Sequence, residues 1–411
     1  MRFCLIGATH PCHNPRLVRE ADSLAARGHE VRVVALAHVP SLAEQDARLI
    51  ASRSWRLQTV VLHSGTMQTL WLRLSRKLAR AGFSMLKRPA LAEYAYCPAI
   101  AELTEAAVSE PADWYIAHTQ PMLPVAAEAA RRRGARLGFD CEDLLALAGS
   151  DPPEFVRAVE RAYVPRCDYV TVTSEAMKQR FQQDFPGTEP RVLYNVFPLK
   201  LAEKMIPPEK RLRQGRLRLH WFGQTIGPGK GIEEALEAAA LLGDAVEVHF
   251  RGQVASGFDV VLRGFERRGV AMHFHPYLHY DDLIGAMGVF DVGLALERPE
   301  HGNYSITVTN KFFSYLLAGL AVAATDTPGQ REAMEQASGA GFLYPAGRPD
   351  LLAEKLHTWW EKRESLLTAQ QAAWNAARRR FSWDVEKQNF LEIFMGSEKT
   401  PTESASLSVL A

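Results

Sequence analysis

The residues best suited to chemistry lie in the run Trp221-Phe222-Gly223-Gln224-Thr225-Ile226-Gly227-Pro228-Gly229-Lys230-Gly231. Its glycines let the backbone approach a ligand closely and turn several N–H groups in one direction. Residues 232–242 read as a helix, and its positive end faces whatever sits in the turn. Lys230 adds a full charge, so the run has the chemistry of a diphosphate cradle. It is not a P-loop, because Gly231 stands where a magnesium-binding hydroxyl should follow the lysine, and Gly-x-Gly-x-x-Gly cannot be laid on it in register. The bland alternative is a strand–helix turn with a solvated lysine. A second cluster comes later: a strand over 292–296 runs into Glu297, a polar loop covers 298–309, and a helix opens with Thr309-Asn310-Lys311. Thr309 or Asn310 can cap that helix. A lysine in a first helical turn costs about 0.3–1 kcal/mol against the helix dipole, so Lys311 either meets an anion or bends out to solvent.

The first half offers different groups. His10, His13, Asn14 and Arg16 crowd the loop after the opening strand, His118 ends an apolar strand, and Asp140-Cys141-Glu142-Asp143 ends another. The last run superficially looks like the Asp-x-Asp of metal-dependent enzymes, but no metal is expected there. His118 is either a cleft-facing functional group or a core histidine. Residues 67–88 interleave Leu70, Trp71, Leu74, Leu78, Phe83 and Leu86 with Arg73, Arg76, Lys77, Arg80, Lys87 and Arg88, with no acidic residue before Glu93. This reads as an amphipathic basic helix pair, suited either to an anionic lipid surface or to the outside of the first sheet with a solvated basic face.

The elements that must position these groups alternate. Residues 2–7 form a short apolar run, 16–27 show helical spacing of Leu17, Ala21, Leu24 and Ala25, Gly28 closes that helix, and 31–36 is apolar throughout, as in a parallel strand buried on both faces. Further strands are expected over 59–63, 114–117, 136–139, 169–173 and 191–194, with helices over 123–133 and from Glu175 after a Ser174 cap. A polar, charged stretch with Pro207-Pro208 reads as a linker over 199–215. A second series follows: strands 218–222, 246–250, 272–275, 292–296 and 321–325, and helices 232–242, 258–269, 281–287 and 311–319. The expected architecture is α/β: two doubly wound, Rossmann-like parallel-sheet domains facing across a cleft. The first spans 1–198 and the second 216–375. A helical stretch over 376–396 is a candidate for crossing back, and the small polar tail 397–411 is expected to be disordered.

Composition limits the function classes. The chain has 411 residues, 48 Lys+Arg against 47 Asp+Glu, and 47% hydrophobic residues. That is globular composition, long enough for two or three domains, with no electrostatic reason to expect nucleic acid. The five cysteines are scattered and form no Cys-x-x-Cys, which argues against a disulfide framework or zinc module. With no secretory signal or membrane span recognised, the expectation is a cytoplasmic protein, with residues 67–88 as a candidate for attachment to the inner face of the membrane.

Several segments together suggest a family. Asn14-Pro15-Arg16 before a helix ending Ala26-Arg27-Gly28-His29-Glu30-Val31, then Asp113-Trp114-Tyr115-Ile116-Ala117-His118, Cys167-Asp168-Tyr169-Val170, Val192-Leu193-Tyr194-Asn195, Gly229-Lys230-Gly231-Ile232, Asp291-Val292-Gly293-Leu294, Lys311 through Val322, and Phe381-Ser382-Trp383 stand in the family's order. The chain resembles the two-domain glycosyltransferases of the GT-B fold, most closely family 4 of the retaining enzymes, over nearly its whole length. Two departures stand out. No arginine accompanies Lys230 in its loop, and of the family's paired glutamates Glu300 falls near the first position while Ser314 replaces the second.

The resemblance implies metal-free transfer of a sugar from a nucleotide-sugar to a carbohydrate or lipid-linked acceptor, in polysaccharide or glycolipid synthesis, with no cofactor. It implies His118, Lys230 and Glu300 as catalytic residues. Gly223, Gln224, Thr225, Gly227, Gly229, Lys230, Gly231, Glu297, Asn310 and Lys311 would bind the donor, and His10, Asn14, Arg16, Asp140 and Glu142 the acceptor. A nucleotide-sugar epimerase of the same fold and a non-catalytic binding protein are the alternatives. An oxidoreductase is disfavoured by the missing dinucleotide fingerprint.

Overall fold

A computed structural model describes residues 1–62, 67–149, 151–211, 214–300 and 302–395. The expected tail, 397–411, and His63 at the end of the expected third strand lie outside them. The first domain is a seven-stranded sheet: β1 (Arg2–Gly7), β2 (Glu30–Ala37), β3 (Arg56–Val61), β4 (Trp114–His118), β5 (Arg136–Asp140), β6 (Tyr169–Val172) and β7 (Arg191–Val192), in the order β3-β2-β1-β4-β5-β6-β7. The second has six strands: β8 (Leu217–Ile226), β9 (Val246–Val254), β10 (Met272–His275), β11 (Val292–Ala295), β12 (Ala321–Thr325) and β13 (Gly341–Tyr344), in the order β10-β9-β8-β11-β12-β13. Every pairing is parallel. In each sheet the strand order reverses beside the first strand, between β1 and β4 and between β8 and β11. Ligands of open α/β sheets bind outside the strand ends at such points.

Local sequence explains the elements. β1 and β12 are apolar and almost wholly buried, which a parallel strand covered on both faces requires. The helix Pro15–Ala26 starts on Pro15, whose missing N–H costs nothing there, and Leu17 N–H donates to Asn14 Oδ1 at 3.0 Å. Ser174 caps the helix Glu175–Asp184 by accepting from Met177 N–H at 2.9 Å. Residues 67–88 are not a helix pair. One helix, Met67–Leu86, is followed by another at Pro89–Tyr96. The first has two apolar sides: Ala79 and Phe83 face the domain, while Met67, Leu70, Trp71, Leu74, Leu78 and Met85 are exposed along the opposite stripe. Arg73, Lys77 and Arg80 are exposed, Arg80 also donating to the Ala95 carbonyl, whereas Arg76 is half-buried and donates to the carbonyl of Tyr96.

The domains are joined by more than the linker. The helix Arg363–Arg379 packs on the second domain against the helix Asn310–Ala318 and β12. The chain then returns, and the helix Trp383–Met395 lies on the first domain. Phe394 stacks edge-on to Phe3 at 4.9 Å and to Trp114 at 5.3 Å, and Trp383 Nε1 donates to Ser23 Oγ at 2.9 Å. One hydrophobic core runs from the β1 side of the first domain through Tyr194, Val196 and Phe197 into the second. Among the described residues no helix is long and apolar enough to cross a membrane.

Candidate active site

The glycine run is part strand and part turn. β8 continues to Ile226, so Gly223, Gln224 and Thr225 belong to a strand instead of a loop, with a register shift against β9 between Phe222 and Thr225. Gly252, at φ +143°, sits under this bulge, where a Cβ would fall 2.2 Å from the Gly223 carbonyl oxygen. The true turn is 227–231. Gly231 closes it at φ +72°, and an added Cβ would lie 2.5 Å from Leu296 Cβ. No side chain fits there, and that contact brings the head of the helix Ile232–Leu242 against the end of β11.

Four charged groups gather around this junction. Glu297, buried just past β11, accepts from Thr309 Oγ1 at 2.7 Å and from Lys311 Nζ at 3.0 Å on one carboxylate oxygen. Its other oxygen, Oε2, has no partner among the described residues. Lys311 therefore bends back over its helix head, 5.8 Å from the Trp221 ring centre, and does not extend into solvent. Thr309 stands at the N-cap position but spends its hydroxyl on Glu297, so it does not cap the helix through its side chain. Lys230 is exposed, with no ion pair among the described residues, and its Nζ lies 6.0 Å from the Tyr304 ring centre. Partial burial, followed by the charge of Lys311, lowers its pKa.

The fourth group was not legible in the glycine run. Arg251 stands on β9 directly opposite Phe222, buried, with Nη1 donating to the Pro276 carbonyl at 2.8 Å and Nε unpartnered among the described residues. It places an arginine beside the glycine run from the neighbouring strand. Its signal in the sequence is a charge continuing the polar alternation Glu247, His249, Arg251 beyond the expected strand end at 250.

A cavity of about 270 Å³ opens between the domains here. Gln224, Arg251, Asn310 and Lys311 line it from the second domain, Cys12 and His13 from the first, and Phe197 from the connection. Elsewhere between the domains, Asn303 holds the first domain: its Oδ1 accepts from Leu144 N–H at 2.8 Å and its Nδ2 donates to Asp143 Oδ1 at 2.7 Å. The short helix Gly302–Ile306 that carries Asn303 also carries Tyr304, so Lys230 sits beside the seam.

The first domain's candidates are mostly interior. Arg16 donates Nε and Nη2 to the two oxygens of Asp140 at 2.7 and 2.6 Å, and Nη1 to the Leu193 carbonyl at 2.7 Å. His118 lies between Asp140 and Glu20, 3.3 Å from each, and Thr171 Oγ1 donates to Asp140 at 2.6 Å. All four ionic side chains are fully buried. Burial opposes a charge on His118, but Glu20 and Asp140 outweigh it and push its pKa up to about 10; Arg16 and His118 hold Asp140 well below the usual carboxylate range despite burial. His118, Arg16 and Asp140 thus sit behind the strand ends and do not line the cavity. His10 is likewise internal: Nε2 accepts from the His38 and Val39 N–H groups at 3.1 and 3.0 Å, leaving Nδ1 to donate to Asp46 at 2.6 Å. Asn14 is a helix cap. Glu300 is exposed and pairs with Arg298 at 3.1 Å, outside the cavity lining. Glu142 differs: it is half-buried, its Oε1 has no partner among the described residues, and burial followed by Asp140 raises its pKa to about 7. Glu20 is the member of this network that sequence reasoning missed; its signal is Arg16-x-x-x-Glu20 on an otherwise apolar helix face.

Comparison with known proteins agrees with this architecture. Residues 13–196 match the family model described as a glycosyl transferase 4-like domain. The whole chain is similar in structure to HepE from Anabaena, solved in complex with UDP, at 18% identity and a TM-score of 0.65, covering 96% of this chain and 100% of that one. Sucrose-phosphate synthase from Thermosynechococcus elongatus gives 13% identity and a TM-score of 0.69 over 97% and 99%. WaaG, a glycosyltransferase involved in lipopolysaccharide biosynthesis, gives 17% and 0.63 over 96% and 100%. No curated protein sequence matches the chain. The protein therefore has the two-domain GT-B fold of these structures, and the match to the glycosyl transferase 4-like model falls within its first domain.

Proposed function

We propose that the protein is a glycosyltransferase that binds a nucleoside diphosphate sugar in the interdomain cavity and passes the sugar to an acceptor held by the first domain. The observation that carries this reading is that Lys311 and Arg251 line that cavity, with Lys230 near enough to Lys311 for the two charges to repel. As the sugar leaves, negative charge grows on the diphosphate, and fixed cations with a helix N-terminus stabilise it in proportion. Lys230 is the free cation of this set. Lys311 is shared with Glu297 and becomes more available to a bound phosphate as Glu297 turns its unpartnered oxygen to a donor hydroxyl. These side chains supply the countercharge without a metal ion, so transfer is expected to persist in EDTA. The HepE complexes with UDP and UDP-glucose favour a uridine nucleotide as the first donor to try. Retention of anomeric configuration follows the family resemblance.

Glu142, at the first domain's strand ends with a pKa near neutrality, is the group we assign to the acceptor hydroxyl. The exposed apolar stripe of the helix Met67–Leu86, flanked by Arg73 and Lys77, suits an anionic bilayer surface and hence a lipid-linked acceptor. The test is incubation with UDP-sugars, with and without lipid-linked acceptors. Donor-dependent UDP release that vanishes in Lys230→Ala supports the reading. A new nucleotide-sugar formed without acceptor would instead identify an epimerase, and no turnover or binding of any nucleotide-sugar would leave a non-catalytic protein.

A further inference from the structure

The second domain holds a group of side chains that the transfer reading does not use. Glu247 and His249 are two residues apart on β9 and share one face of the sheet; His273 and His275 do the same on β10. The parallel register sets His273 opposite His249 and His275 opposite Arg251. Among the described residues β10 is the outermost strand, paired only with β9. We propose that Glu247, His249 and His273 form a binding site for one divalent transition-metal ion of the zinc type, which clamps the edge strand to its neighbour.

The geometry is that of ligands around a shared point. His249 Nε2 lies 3.1 Å from Glu247 Oε1, His273 Nε2 lies 3.6 Å from Glu247 Oε2, and the ligand atoms of all three residues fall within 4.8 Å of one another. Ligands bonded to a tetrahedral zinc ion at about 2.0–2.2 Å stand roughly 3.3–3.5 Å apart, so small side-chain rotations suffice. Two imidazoles and one carboxylate suit zinc, nickel or cobalt and not magnesium. A fourth, open position remains, because Glu247 is half-buried and His273 exposed.

The second ring of contacts is also present. His249 Nδ1 lies 3.0 Å from His275 Nε2. With Nδ1–H donated to His275, Nε2 of His249 is the free ligand atom, which is the arrangement that metal-bound histidines adopt with an outer partner. His249 and His273 stack with centroids 4.5 Å apart.

The site reaches the cavity through the backbone. β10 ends at His275; Pro276 then accepts from Arg251, and Tyr277 and Leu278 line the cavity. An ion that fastens β10 to β9 therefore steadies the wall that carries Arg251.

The test uses the full-length protein and binding alone, so it stands whether or not sugar transfer is found. Zinc and nickel chlorides are titrated by calorimetry and thermal shift after chelator treatment, with magnesium as comparison. One ion bound with a raised Tm is expected, with no response to magnesium. A Glu247→Gln/His273→Ala double variant, altered at solvent-accessible positions, should keep its fold by circular dichroism and lose at least tenfold in zinc affinity. His275→Ala should lose about 10–100-fold. His357→Ala, a surface histidine beside Glu361, should match the parent. Zinc binding of equal affinity in the double variant, or no zinc binding by the parent, overturns the proposal.

Discussion

The strand ends of the two domains carry similar numbers of charges and treat them in opposite ways. In the first domain, Arg16, Asp140, His118 and Glu20 balance one another's charge inside the protein; Asp140 and Arg16 are also hydrogen-bonded to Thr171 and the Leu193 carbonyl, while the Glu20 oxygens and His118 nitrogens lie beside opposite charges without a hydrogen bond. In the second, Lys230 has no counter-ion among the described residues, Arg251 keeps an unpartnered Nε, and Glu297 an unpartnered oxygen. Charges that satisfy one another fix a shape. Charges left open to a cavity are poised for a ligand, and their cost is returned when it arrives. Under the proposed transferase reading, this difference assigns donor binding to the second domain, while the first domain's network holds its helix, β4 and β5 together.

The sharpest way to break this contrast is to damage each set and compare. Asp140→Asn strands Arg16 and His118 in the interior and should cost about 3–5 kcal/mol of unfolding free energy, read by chemical denaturation. The same network has a pH signature. The folded pKa of His118, about 10, exceeds the ordinary histidine value, so its stabilisation is complete below about 6.5 and disappears as pH rises through 10. Stability that stays flat over that window in the parent, relative to His118→Gln, would contradict the assignment. Lys230→Ala should leave stability unchanged within about 0.5 kcal/mol while kcat/KM falls by about 10²–10³, the scale for losing one fixed group at a developing oxyanion. Because its pKa is lowered, donor binding should weaken on the alkaline side at a pH below that of an ordinary lysine, and Lys230→Arg should move that limb upward. Gly231→Ala forces a Cβ into Leu296 at positive φ and should cost about 1–3 kcal/mol, seen as a lower Tm together with weaker nucleotide binding. The smallest effect is expected at the surface: Arg73→Glu should weaken sedimentation with anionic liposomes by about 1 kcal/mol or slightly more, and Trp71→Glu should weaken it further.

How far the sequence shows all this depends on the distance over which partners meet. β1 and β12 are readable to the residue because a strand buried on both faces is an unbroken apolar run, and β10, a half-exposed edge strand, because it is a short block between turn residues. The helices Ile100–Val108 and Pro89–Tyr96 are rich in alanine and show little contrast between faces, so their period is faint. The ends of β4 and β5 are visible as His118 and Asp140, but their burial is not. It depends on Arg16 and Glu20 arriving from a helix more than ninety residues earlier. Arg251 illustrates the same limit from the other side. It lies twenty-one residues after Lys230 and stands beside the glycine run only because β8 and β9 pair in parallel, past a bulge that the glycines permit. The glycines themselves were visible; that they prolong a strand was not.

The chain passes between the domains twice, once near Phe197 and again near Ser382, and the two passages touch: Trp383 N–H donates to the Phe197 carbonyl at 3.0 Å, and Leu199 N–H to Asp384 Oδ2 at 2.7 Å. Two tethers fastened side by side act as a single pivot, like a door hung on paired pins. Sliding and twisting apart are resisted at this point. A protein cut after residue 375 would lose one pin and also bare Phe3 and Trp114, the greasy patch that Phe394 now shields, so neither lobe is a self-sufficient piece.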